Sequence, residues 1–138
     1  MTDMIKLSGI LLIDSAGRIA LQLRDDNPAI INPGKWSIFG GHIEPGEDPA
    51  AAALREAYEE LTISLQPDKL EFLGEYPYKN RLFYIYRYLV DAELDHAQLR
   101  EGQAWRWCTR DEIASLEIEG HAVVDYHLAF LQRLFKQA

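Results

Sequence analysis

A single cysteine, Cys108, stands in the 138 residues, so no internal disulfide can form and nothing points to an oxidising compartment; a reducing, cytoplasmic setting is the expectation. Basic residues are few: 14 Lys and Arg face 22 Asp and Glu, a net charge of −8. Affinity for a nucleic acid polymer comes from Lys and Arg neutralising successive phosphates, and there is no basic stripe, so a polymer is not an expected partner. Long apolar runs are missing too. Leu7 to Ile13 is too short to cross a bilayer and lacks the basic start and small-residue cleavage site of a secretion signal. It reads as a buried strand, and no membrane partner is expected. There are no repeats at solenoid spacing and no Ser/Gly-rich linkers.

The composition that remains is 48% hydrophobic and 26% charged, ordinary for a globular chain, and the length suits one domain spanning 1–138 with its own core. Leu7 to Asp14 and Arg18 to Arg24 flank Ser15-Ala16-Gly17, which predicts a hairpin. From Asp25 to Gly46 the density of Pro, Gly and Asn predicts a loop with at most a short strand at Trp36 to Phe39. Asp48-Pro49 reads as a helix N-cap followed by proline in the first turn, with the helix running to about Leu61. Two Tyr-rich β-patterned runs follow, Leu70 to Tyr78 and Leu82 to Glu93, joined by a turn at Lys79-Asn80-Arg81. Ala104 to Cys108 predicts a further strand, and Thr109-Arg110-Asp111-Glu112 a capping box opening a helix to Leu116. Past Gly120, Val123, Val124, Leu128, Phe130, Leu131, Leu134 and Phe135 recur at mostly helical steps. This order implies a mixed α/β domain rather than a doubly wound sheet.

The helix after Pro49 carries the chemistry. At about 100° of rotation per residue, Glu56, Glu59 and Glu60 fall within roughly 100° of arc, beside an apolar stripe of Ala50, Ala53, Leu54, Ala57 and Leu61. Like charges at these spacings repel, and Arg55, four residues before Glu59, offsets part of that. A hard divalent cation would offset the rest, since all-oxygen ligands favour Mg²⁺ or Mn²⁺. A glutamate-rich face alone is commonly just solvated surface; the preceding Gly40-Gly41, where a ligand or backbone can approach closely, makes the combination more specific. No histidine spacing suits zinc, and Cys108 reads as core.

The full pattern is Gly41, five residues, Glu47, seven residues, Arg55-Glu56-Ala57, one residue, Glu59-Glu60, one residue, Thr62-Ile63. It resembles the Nudix box of hydrolases that cleave nucleoside diphosphates linked to a further group, in particular MutT-like members. One defined position departs: Thr62 stands where the family has glycine. Glycine suits the left-handed residue that closes a helix and threonine is strained there, so a different helix end is expected. The resemblance continues upstream in Pro33-Gly34-Lys35-Trp36, although Phe39 stands where many members have proline, and downstream in Glu101-Gly102-Gln103.

What the resemblance implies is an α+β fold, an α/β/α sandwich with a mixed sheet flanked by helices, and a Mg²⁺-dependent (Mn²⁺ possible) pyrophosphohydrolase. Glu56, Glu59, Glu60 and Glu101 with the Gly40 carbonyl would form the metal shell, and Arg55 and Glu47 would hold loop and helix in register. Glu60, Glu56 and Glu101 all remain candidates for the general base. Arg24, Gly41, Trp36 and Phe39 are candidates for substrate contact, with Tyr76, Tyr78, Tyr84 and Tyr86 as further aromatic surface, although strand aromatics commonly belong to the core. A (d)NTP-type nucleotide giving the monophosphate and pyrophosphate is the leading expectation. ADP-ribose, a nucleotide sugar or a dinucleoside polyphosphate is the alternative, and a non-catalytic nucleotide-binding domain is a third. The chain is expected to be a monomer or homodimer.

Overall fold

The computed structural model describes residues 4–137; Met1 to Asp3, Ala138 and the side chains of Leu134, Phe135 and Gln137 lie outside the described residues, including two apolar positions of the C-terminal repeat. Seven strands make one mixed sheet. Strand β1 (Ile5–Ile13) and strand β2 (Ile19–Leu23) form the expected hairpin, meeting at Ile13 and Ile19 before they diverge. The glycine-rich segment fills the gap between them. Strand β3 (Trp36–Ser37) pairs with Leu23 and Gln22 of β2, and after Ile38 strand β4 (Phe39–His42) pairs with Leu7 to Ile10 of β1.

Gly40 and Gly41 therefore lie in a strand, where a loop is expected from their sequence. The cause is proximity: Gly40 has φ 149, and a Cβ there would overlap the Ser8 carbonyl oxygen and lie 2.8 Å from Gly9 Cα. Only a residue without a side chain can sit this close to β1.

Helix α1 (Pro49–Leu61) has the predicted bounds. Asp48 caps it, its carboxylate accepting from the N–H groups of Ala50 and Ala51. Beyond it, strand β5 (Glu71–Tyr78) is antiparallel to strand β6 (Arg81–Leu89), which runs parallel to β1 along its length. β6 stops short of the expected Glu93, whose carboxylate instead accepts from Asp91 N–H and Tyr88 O–H. Strand β7 (Ala104–Cys108) adds to β2. Helix α2 (Arg110–Ala114) opens with the predicted capping box and ends before Leu116. After a short ribbon of β8 (Glu117–Ile118) and β9 (His121–Ala122), helix α3 (His127–Gln137) closes the chain. Val123 and Val124, read as helical, precede it; Val124 N–H donates to Trp36 O.

Alternation along the strands sends side chains to two cores. Ile10, Leu12, Ala20, Phe39, Tyr86 and Tyr88 pack with Ala53, Ala57 and Leu61 under α1. Leu11, Ile19, Leu21, Ile38, Phe83 and Ile85 pack on the other face with Ile113, Phe130 and Leu131 of α2 and α3. The result is the expected α+β sandwich with α1 on one face. Cys108 is buried in the second core, which pushes its thiol up to about 11.

Candidate active site

Arg55 organises the signature. Its Nε and Nη2 donate to the two oxygens of Glu47 at 2.8 and 2.9 Å, Nη1 to Glu56 at 3.1 Å and Glu59 at 3.2 Å, and Nη2 also to the His42 carbonyl at 3.0 Å. The planar fork suits this bidentate hold. Glu47 also accepts from Glu44 N–H, and the Arg55 guanidinium first, then that amide, hold its carboxyl down at about 2. These bonds join Arg55 of α1 to Glu47 of the loop, the two residues expected to hold loop and helix in register.

Glu60 sits where β1 and β2 part, only 1% exposed. Gln22 Nε2 of β2 donates to one carboxylate oxygen at 3.1 Å, and Gly40 N–H of β4 reaches the other at 3.3 Å. Burial, foremost, and the charges of Glu56 and Glu101 raise its pKa well above the carboxylate range. Glu56 is raised as well, chiefly by burial. The two carboxyls interact directly, and Glu60, the more deeply buried, is raised further than Glu56. Gly41 lies alongside: a Cβ at this position would come 2.5 Å from a Glu56 oxygen, so the missing side chain leaves room for that carboxylate.

Glu101 is far away in sequence but pinned nearby. Arg100 N–H donates to Glu60 O, and Gln103 donates through N–H to Leu23 O and through Nε2 to Arg24 O. The chain thus carries Glu101 past the C-terminal end of α1 to the rim of the cleft.

Among the described residues no three carboxylate, imidazole or thiol groups already converge as a ready cage, because Arg55 is drawn onto Glu56 and Glu59 while Glu56 is tied to Glu60. The donor set itself is oxygen-only, and burial raises the pKa of two of its members, Glu60 and Glu56. That chemistry fits a hard divalent cation.

A cleft of about 390 Å³ runs from this face across the open end of β1. Its lining includes Gly40, Gly41, Arg55, Glu56, Glu59 and Glu101, together with Leu7, Ile38, Phe83, Asn32, Tyr126 and His127. Arg24 lines it as expected, its Nε donating to Ile31 O. Trp36 and Phe39, expected at the substrate, are buried in the cores at 2% and 0% exposure; Phe39 borders the cleft from beneath, whereas Trp36 does not line it. Trp36 Nε1 donates to Ile118 O, a structural bond. Tyr86 is buried under α1 and Tyr78 stacks on Tyr126 with centroids 4.1 Å apart.

Asn32, Tyr126, His127 and Arg81 of the cleft were not legible as site residues. Asn32 Nδ2 donates to Tyr126 Oη at 2.8 Å. His127 is buried, which holds its imidazole neutral with a pKa lowered to about 3, the nearby Arg24 charge adding to the effect. Its Nδ1 accepts from Ile38 N–H, so the ring proton resides on Nε2.

The pattern of the NUDIX domain family matches residues 7–129. An RNA pyrophosphohydrolase of Cereibacter sphaeroides (strain KD131 / KCTC 12085) is 31% identical over 131 residues, covering 78% of this chain and 76% of that protein. Among solved structures, the MutT protein of Methanosarcina mazei Go1 superposes with a TM-score of 0.75 at 21% identity, covering 99% of this chain and 96% of that one. A C. elegans Ap4A hydrolase gives a TM-score of 0.65 at 24% identity, with 95% and 96% covered. These two structural likenesses concern the fold.

Proposed function

The chain belongs to the NUDIX domain family of pyrophosphohydrolases, and from that premise we propose that it hydrolyses a nucleoside triphosphate-type substrate to the nucleoside monophosphate and pyrophosphate. The observation that carries this reading is the cleft, whose lining combines the signature carboxylates with Leu7, Ile38, Phe83, Asn32, Tyr126 and His127. Its volume of about 390 Å³ lies within the range of small-ligand sites and suits one nucleotide rather than a polymer.

Leu7, Ile38 and Phe83 would hold the base, with the His127 Nε2–H and the Asn32 carbonyl oxygen offering a donor and an acceptor to its edge. Arg24 faces the phosphates. Glu56, Glu59, Glu60 and Glu101 with the Gly40 carbonyl would hold Mg²⁺ or Mn²⁺, which when bound neutralises phosphate oxygens and acidifies the attacking water. Glu56 lies on the cleft wall and takes the proton as water attacks phosphorus in line and the bridging P–O bond breaks. Glu60 is too deeply held by Gln22 and Gly40 to move with the proton. Arg55 and Glu47 keep helix and strand aligned and do not touch substrate.

A second reading, hydrolysis at the 5′-phosphorylated end of RNA, is favoured by the name of the Cereibacter relative. The test is a phosphate-release panel with Mg²⁺ and Mn²⁺. It covers canonical and oxidised nucleotides, ADP-ribose, nucleotide sugars, dinucleoside polyphosphates and a 5′-triphosphorylated oligonucleotide. Nucleoside triphosphates should be cleaved fastest, and excess EDTA should abolish turnover. Preference for the oligonucleotide selects the second reading, and full turnover in EDTA refutes the metal site.

A further inference from the structure

Thr62 takes the left-handed conformation, φ 58 and ψ 39, and its N–H closes α1 on Tyr58 O. The helix therefore ends as a glycine would end it, contrary to the expectation from sequence. A threonine is strained there and a glycine is not. What the side chain contributes in return is visible in its contacts. Oγ1 donates to Gln98 O at 3.2 Å and accepts from Arg100 Nε at 2.8 Å. Two main-chain bonds run beside these, Gln98 N–H to Leu61 O and Arg100 N–H to Glu60 O. The next residue is Glu101, whose charge acts on Glu60 and whose side chain lines the cleft.

We infer that Thr62 is a positioning residue whose hydroxyl clamps the 98–100 segment to the end of α1 and thereby sets Glu101 against Glu60 at the cleft. The inference rests on the part assigned to Glu101 above. A plain helix cap and a clamp respond oppositely to glycine. As a cap, the position improves when Thr62 becomes Gly, because the backbone strain goes; as a clamp, it fails, because both side-chain bonds go.

The experiment compares the full chain with Thr62→Gly, Thr62→Ser and Glu101→Gln, by thermal melting, by amide hydrogen exchange without metal, and by Mg²⁺ titration of turnover. Thr62→Gly should have its Gln98 and Arg100 amides exchange about tenfold faster, the order expected for losing such bonds, with a melting temperature no higher than wild type because the lost bonds offset the strain relieved; a higher melting temperature with unchanged exchange is the plain cap's result. The Mg²⁺ concentration for half-maximal turnover should rise with little change in KM for nucleotide, and Thr62→Ser should restore both readings. Unchanged exchange in Thr62→Gly overturns the clamp. Faster exchange with unaltered metal dependence and turnover overturns the positioning of Glu101. Wild-type turnover in Glu101→Gln removes the part assigned to Glu101, and the positioning with it, while leaving the hydrolase reading intact. A wild-type chain inert across the substrate panel removes the hydrolase reading, and the exchange measurement still decides the clamp.

Discussion

Gly40 and Gly41 are adjacent, yet their substitution by alanine should fail in different ways. At Gly40, alanine would have to hold φ 149, which costs about 1–3 kcal/mol by itself. Its Cβ would overlap Ser8 O and sit 3.0 Å from Ser8 C, both main-chain atoms of the central strand that cannot swing aside. Relief requires lifting β4 from its ladder with Leu7 to Ile10. Loss of even a pair of ladder bonds adds about 1–3 kcal/mol. The total, about 2–6 kcal/mol, compares with a whole-domain stability of roughly 7–20 kcal/mol for this length, and its middle corresponds to a fall in Tm of about 12–20 °C. At Gly41 the obstacle is the end of the Glu56 side chain, at 2.5 to 2.8 Å, with no positive φ to maintain. Glu56 can turn away at a cost of about 0.5–1.5 kcal/mol. Moving a reacting carboxylate by about 1 Å, however, is worth on the order of 100-fold in turnover. Thermal denaturation followed by circular dichroism, paired with pyrophosphate release, separates the two. A Gly40→Ala protein melting within about 2 °C of wild type, or a Gly41→Ala protein at full turnover, refutes the reasoning.

Two further outcomes follow from the charges. Glu60→Gln should lower turnover by at least about 100-fold while the fold persists, since the amide keeps the shape but cannot serve as an anionic ligand. Because folding raises the Glu60 pKa, the stability tied to its proton is fully present below the unfolded carboxylate range and lost as pH rises through the folded value. In chelator, the Gln variant should therefore gain on wild type in Tm as pH is raised from about 5 to 9; parallel curves would contradict the raised pKa. Glu47 has the opposite sign: with its pKa lowered from 4.5 to about 2, its contribution is present above 4.5 and lost as pH falls toward 2. Glu47→Gln should flatten that acid limb in urea melts taken between those two pH values, and an unchanged slope there would discount the Arg55 pairing.

How much was legible depended on range. α1 is legible because its signals are local: Asp48 and Pro49 at one end, an apolar stripe between, and a β-branched pair at the other. The Arg55 bond to Glu59 is legible for the same reason, four residues apart on one helix, whereas the bond to Glu47 is expected only from the family resemblance. β4 was not legible, because Gly40-Gly41 has no strand alternation; its conformation is dictated by β1, which lies on the far side of a long loop. The rest of the cleft lining failed similarly. Asn32 and Tyr126 meet across 94 residues, and nothing local marks either for a site. Trp36 lies in the core away from the cleft, since bulky aromatics serve cores and ligands alike and only packing decides.

The acidic surplus of the sequence acquires a structure when its partners are followed. Arg55 satisfies Glu47 and shares itself with Glu56 and Glu59, so the loop side of the signature is compensated from within. Among the described residues no cation pairs with Glu60 or Glu101; Glu60 is held by Gln22 Nε2 and Gly40 N–H, which carry no charge. Arg100, the nearest candidate in sequence to Glu101, directs its Nε to Thr62 instead. Neutral donors can orient a buried carboxylate but do not offset burial and like charges, which together raise the Glu60 pKa. The division follows from the fold. The guanidinium sits on the outward side of α1, where the strand and loop present Glu47 and the His42 carbonyl, whereas Glu60 points into the opening between β1 and β2, where the neighbours are main chain and an amide. The positive charge missing there is what a divalent cation would bring, and the same cation would let an acidic protein receive a phosphate ester in its cleft.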